Sequence, residues 1–210
     1  METNQLTEEQ LKVAFCEVRK AHRLIYEYQR RMQDLSWFIR NKLGYNNYQG
    51  FKKFSNTLKS SNKIEHDFWS WDWIYSYVYE YFLGEQTNKK NENSWRLSII
   101  QISDDGFYKK KDSVATNLKT FATVEESQSK LLFYLSVATK NANYDWDPSG
   151  IIKKYADKEG GYTIKNDTKT QIVFSVSMTK FVNEEATMQI LRDFVKYCND
   201  NAGTDLKIQE

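Results

Sequence analysis

Proline is almost missing from this chain. Pro148 is the single one in 210 residues, where ordinary usage of about 5% would give roughly ten. That excludes a proline-rich linker and a chain cut into many loops. Cysteine and histidine are as sparse. Cys16 and Cys198 are too few for a disulfide framework, and no Cys or His spacing is of metal-binding type. Both cysteines read as small buried hydrophobes. His22 and His66 leave histidine-dependent acid–base chemistry few candidates. A charge excess is missing too: 30 Lys+Arg against 28 Asp+Glu leave a net +2, which excludes a histone-like mode of binding. No phosphate-binding glycine loop occurs, and Gly160-Gly161 reads as a turn. No apolar run approaches the ~20 residues of a membrane helix. The richest, Phe68 to Leu83, is broken by Ser70, Asp72, Ser76 and Glu80. Met1-Glu2-Thr3-Asn4-Gln5 has neither a basic nor an apolar leader region. The expectation is a cytoplasmic protein with no membrane association, cofactor or metal.

What the chain has is apolar residues at 40%, 15% of the whole being aromatic, enough for a core. The length fits one domain over 1–210, with a helical half about 1–84 and a mainly β half with a closing helix about 95–201.

The strongest pattern predicts a helix from Thr7 to Leu43. Thr7-Glu8-Glu9-Gln10 is a capping box, and Gly44 follows a last turn carrying Arg40 and Lys42. Apolar positions run Leu11, Ala14, Val18, Ala21, Ile25, Tyr28, Met32, Leu35 and Ile39, alternating steps of three and four as in an a/d seam. Phe15 at e, with Leu24 and Phe38 at g, widens the face. A wide face favours packing into the chain's own core over pairing with a partner helix.

The oddest segment runs from Phe68 to Phe82, where nine of fifteen residues are aromatic. A period of two puts Trp69, Trp71, Trp73, Tyr75, Tyr77, Tyr79 and Tyr81 on one strand face. A period of 3.6 instead lines up Trp71, Ile74, Tyr75, Val78, Tyr79 and Phe82. The sixteen residues from Phe68 to Leu83 are long for a strand, Asp67 can cap a helix and Gly84 can stop one, so helix is the reading adopted. A short helix through Phe51, Phe54 and Leu58 precedes it.

Strands are expected at Trp95–Ile102, Lys130–Thr139 and Gln171–Thr179, the last paired with Tyr162–Lys165, and Asp104-Asp105-Gly106 reads as a tight turn into Phe107-Tyr108. A closing helix spans about Glu184 to Asn199. The fold class is α+β: a long N-terminal helix and a C-terminal helix packed on a mainly antiparallel sheet of about three to five strands.

Chemistry is thinly signalled. Asp145-Trp146-Asp147-Pro148-Ser149-Gly150 resembles the start of a calcium loop, but position 12 falls on Ala156 rather than a bidentate Glu. A helix N-cap at Asp147 with Pro148 at N1 explains the same residues. On a helix, Asp72, Ser76 and Glu80 would share one face; a metal-dependent nuclease would also need a positioned lysine and further ligands. The functional reading is therefore a non-catalytic interaction protein that binds another protein or itself. Its candidate binding residues are Tyr28, Arg31 and Trp37 on the long helix and Trp69, Trp71, Trp73 and Tyr77 in the aromatic segment. The alternative is a nucleic-acid-binding or metal-dependent nucleic-acid-processing protein using Asp72 and Glu80 with nearby lysines.

Overall fold

A computed structural model describes residues 6–54, 70–88, 93–109, 118–138, 144–166 and 169–209. The chain divides into two compact units, Met1–Trp37 and Phe38–Glu210. Helix α1, Glu8–Lys42, supplies the first unit and ends in the second.

The start of α1 follows directly from its sequence. Thr7 Oγ1 accepts from Gln10 N at 3.2 Å while Gln10 Oε1 accepts from Thr7 N at 2.8 Å, satisfying two amides that have no partner within the helix. Ion pairs one turn apart, Glu8–Lys12, Glu17–Lys20 and Glu27–Arg30, support the polar side. At the other end Gly44 takes a left-handed φ of 69°. Tyr45 N then reaches Arg40 O and Gly44 N reaches Asn41 O, both inside the second unit.

The second unit is built on a six-stranded sheet, antiparallel throughout, in the order β1-β2-β3-β4-β6-β5. The strands are β1 Gln49–Lys52, β2 Val78–Thr87, β3 Ser94–Ile102, β4 Lys130–Ala138, β5 Gly160–Lys165 and β6 Lys169–Ser177. Between them lie the single turn α2 Gly106–Lys109 and the helix α3 Pro148–Tyr155, and α4 Glu184–Ala202 closes the unit. The α+β architecture with a long first helix and a C-terminal helix is as expected, with more strands.

Strand β4, Lys-Leu-Leu-Phe-Tyr-Leu-Ser-Val-Ala, is buried at every position, because both faces of the sheet are covered. On one face, Phe133 stacks on Phe194 of α4 at 4.7 Å between ring centroids, and Phe174 meets Phe194 and Tyr197. On the other, Ile100, Ile102, Leu132, Tyr134 and Val173 form a cluster with Ile151, Ile152 and Tyr155 of α3 and with Trp71, Tyr77 and Phe121. Asn183 caps α4 through Ala186 N, and Gly203 ends it in the left-handed region.

Two helical expectations are corrected. Among the described residues, the aromatic segment is one turn of 3-10 helix at Ser70–Trp73, a tight loop and then strand β2, not a helix. Gly84 is not a stop: at φ +117° it follows a bulge at Leu83, where the β2–β3 register steps from Phe82↔Ser98 to Gly84↔Leu97. Residues 49–52 likewise form β1, pairing along β2, where a short helix was expected; Leu58 lies outside the described residues. Asp104-Asp105-Gly106 leads into Phe107-Tyr108 as the start of the single turn α2.

Candidate binding surfaces

The seam of α1 has a central line at seven-residue spacing: Leu11, Val18, Ile25, Met32 and Ile39. Along one face it changes environment. Leu11, Val18 and Ile25 are 38, 49 and 44% exposed, whereas Met32 and Ile39 are 1 and 0% exposed. Burial, expected for the whole stripe, is therefore only partial in its first half. Phe15 and Leu24, flanking the line, are more exposed still.

Of the candidate residues on this helix, Tyr28 is half-buried, and Arg31 and Trp37 are exposed. At 3.6 residues per turn, Tyr28 and Trp37 are two and a half turns apart and point to opposite sides. The helix does not gather these three into one patch.

The aromatic segment is divided by its loop. Trp71 and Tyr77 are core residues, their rings 4.6 Å apart and both against Phe54 and Phe121. Burial pushes the Tyr77 phenol well above its ordinary pKa. Trp69 lies outside the described residues. Trp73 is 64% exposed and forms a tip with exposed Ile74 and Tyr75. The Lys52 ammonium sits 3.5 Å from the centre of the Tyr75 ring, and Phe51, next to it on edge strand β1, is also exposed. This small apolar and cationic tip was not foreseen, because Phe51, Lys52 and Tyr75 are brought together by the β1–β2 pairing. The signal in sequence was only the aromatic density.

The carboxylates considered for catalysis do not share a helix face. Asp72 is buried in the 3-10 turn. Glu80 is buried on β2, where one oxygen accepts from Ser98 Oγ at 2.5 Å and the other pairs with Lys53 Nζ at 2.7 Å. A lysine is thus beside Glu80, but the carboxylate is fully engaged and 1% exposed. Further along the same face, Tyr134 OH donates to Asp145 O at 2.9 Å and accepts from Gln171 Nε2 at 3.0 Å and Asp147 N at 3.3 Å. Trp146 stacks on the Tyr134 ring at 4.6 Å and meets Phe82 edge-on. Burial raises the Tyr134 phenol pKa, with the nearby Asp145, Asp147 and Glu80 charges adding to it. The network anchors the 145–147 segment. Asp147 then caps α3, its Oδ1 accepting from Gly150 N at 2.9 Å, with Pro148 in the first turn. Among the described residues, no group of three His, Cys, Asp or Glu side chains is placed to hold a metal ion. Cys198 is buried in α4, and desolvation drives its thiol pKa far up, away from a nucleophilic thiolate.

A second buried charge cluster lies where α2 meets the start of β4. Asp105 pairs with Lys130 Nζ at 3.1 Å and Lys109 Nζ at 3.2 Å, and accepts from Gln128 N at 2.8 Å. Its partners are all donors from the chain itself, so it reads as a brace and not a reaction centre.

A family model described as PM0109 matches residues 8–203. The chain belongs to that family. No curated protein and no solved structure matches it. The matched span begins in the first turn of α1 and ends at Gly203, so the exposed half of the helix lies within it. No helix among the described residues is long and apolar enough to cross a membrane.

Proposed function

We propose that this is a non-catalytic interaction protein that associates, with another protein or with itself, through the exposed line of α1. The observation that carries the reading is the continuity of Leu11, Val18 and Ile25 with the buried Met32 and Ile39. One helix face is apolar throughout, yet covered over only part of its length. Three exposed apolar side chains in a row, with Phe15 and Leu24 beside them, are a patch that association would remove from water. The full burial of each is worth about 1.5–3 kcal/mol, so covering what is still exposed contributes about half of that per residue. The Trp73–Ile74–Tyr75 tip with Lys52 is a second, smaller contact surface of the same character. The engaged state of Glu80 gives no comparable support to nucleic-acid processing.

Site-specific photo-crosslinking tests the reading. A photoreactive residue at Val18 is expected to give a discrete adduct in the producing cells, and one at Arg23, on the outward side, to give none. The Val18 adduct should disappear when Ile25→Glu is added. No adduct from either position, or equal adducts from both, would sink the proposal.

A further inference from the structure

The occupant of the exposed α1 line is settled by its flanks. We infer that it is a second copy of the same chain, lying parallel and in register over Leu11 to Tyr28; this rests on the association reading above. The central line keeps a spacing of seven, the repeat that holds one stripe against a like partner in a left-handed two-stranded coil. Val18 and Ile25 are β-branched at a, which favours two parallel strands, and Ala14 and Ala21 at d let the backbones approach.

The positions beside the seam, e and g, decide the orientation. From Gln10 to Gln29 they hold one carboxylate, Glu17, and no Lys or Arg. In a parallel pair each g position faces the following e position of the other helix. Glu17 then meets His22 of the second copy, and Leu24 meets Gln29, so no like charges face each other. Lys20 holds one oxygen of Glu17 from the outward side at 2.8 Å, leaving the other for His22. An antiparallel pair over the same stretch would set Glu17 against Leu24, where the carboxylate loses water and gains no donor. The basic residues from Lys12 to Arg30 (Lys12, Arg19, Lys20, Arg23 and Arg30) all fall on outward positions b, c and f.

The contact is small for a stable dimer. The a, d, e and g positions from Gln10 to Gln29 number twelve per copy, about half of the 20–30 residues a side in a standard interface. The dimer should therefore be weak and reversible, with a Kd on the order of micromolar.

Sedimentation velocity of the full chain from low to high micromolar concentration is expected to show a monomer–dimer equilibrium. Val18→Glu and Ile25→Glu, at exposed positions that leave the fold intact by circular dichroism, should each raise the Kd about tenfold or more. With Cys16→Ser as background, Leu11→Cys alone should trap a disulfide-linked dimer under mild oxidation with oxidised glutathione. Trapping only in a mixture of Leu11→Cys with Tyr28→Cys would mean antiparallel helices and overturn the register. A dimer that neither glutamate weakens would overturn α1 as the interface. A monomer at every concentration would overturn the second copy as occupant, and the photo-adduct at Val18 would then separately decide whether any partner uses the line.

Discussion

Replacing Lys130 by methionine should destabilise the second unit by about 3 kcal/mol, and the structure supplies the reasoning. Lys130 and Asp105 are 2 and 0% exposed at the side chain, so neither charge is stabilised by water. Removing one member of such a pair costs about 3–5 kcal/mol, because the other stays buried and uncompensated. Asp105 keeps two donors in this variant, the Gln128 amide and the Lys109 ammonium, which is about a quarter exposed. The cost should therefore fall at the lower end of that range. Methionine is close to lysine in length, so no cavity adds to it. Asp105→Asn should cost a similar amount by leaving Lys130 buried without its counter-charge. The pair Asp105→Asn with Lys130→Met removes both charges at once and should lie within about 1–2 kcal/mol of the parent protein. Urea unfolding followed by circular dichroism measures all four species. At slopes of about 1–3 kcal/mol per molar, the Lys130→Met midpoint should fall by about 1 M or more. If Lys130→Met stays within about 0.5 kcal/mol of the parent, or the two single changes simply add, the brace does not work as argued.

Two further outcomes follow from burial. Tyr45, Tyr77, Tyr108 and Tyr134 have phenols pushed up mainly by desolvation, and Tyr144 is raised to about 12 by the same cause. A raised folded-state pKa means that the native chain holds its protons more tightly, so stability is full below about pH 10 and declines as pH climbs through 10 toward the folded values. Phenolate absorbance should show a group of tyrosines that ionise only with unfolding. A single titration step for all fourteen, near pH 10 in a chain still native by circular dichroism, would contradict this. Phe194→Ala removes the ring that stacks on Phe133 and tilts against Phe174, and should cost about 3–5 kcal/mol in the same urea assay. A loss under about 1 kcal/mol would mean that α4 does not seal that face of the sheet.

Much of the fold could be read from local chemistry. The capping box at Thr7, the Asp147-Pro148 start of α3 and the apolar run of β4 each declare themselves within a few residues. Strand β2 did not, because glycine marks a helix end and a bulge with the same letter. Only the pairing of Phe82 and Gly84 against β3, with Leu83 bulged between them, separates the two. Strand β1 has four residues and no pattern of its own; it exists because β2 offers it an edge. For the binding surfaces, the apolar stripe of α1 was legible but its exposure was not, since a helix sequence does not say how far cover extends along it. The Lys53–Glu80 and Asp105–Lys130 pairs join distant parts of the chain, and charge spacing in sequence carries no sign of either.

The position of β4 also has a consequence for how the sheet assembles. β2 with β3, and β5 with β6, are neighbours in sequence and can zip from their turns. β4 pairs with β3 across the 103–129 stretch and with β6 across α3 and β5, so both its partners come from far along the chain. It can be sheltered only after each hairpin exists, since long loops must close before those contacts form. Until then a nine-residue, nearly uncharged apolar strand has both edges open. Lys130, at its first position, is the one charge in it. Slow folding and aggregation during refolding should therefore trace to β4, and conditions that favour the two hairpins should relieve both.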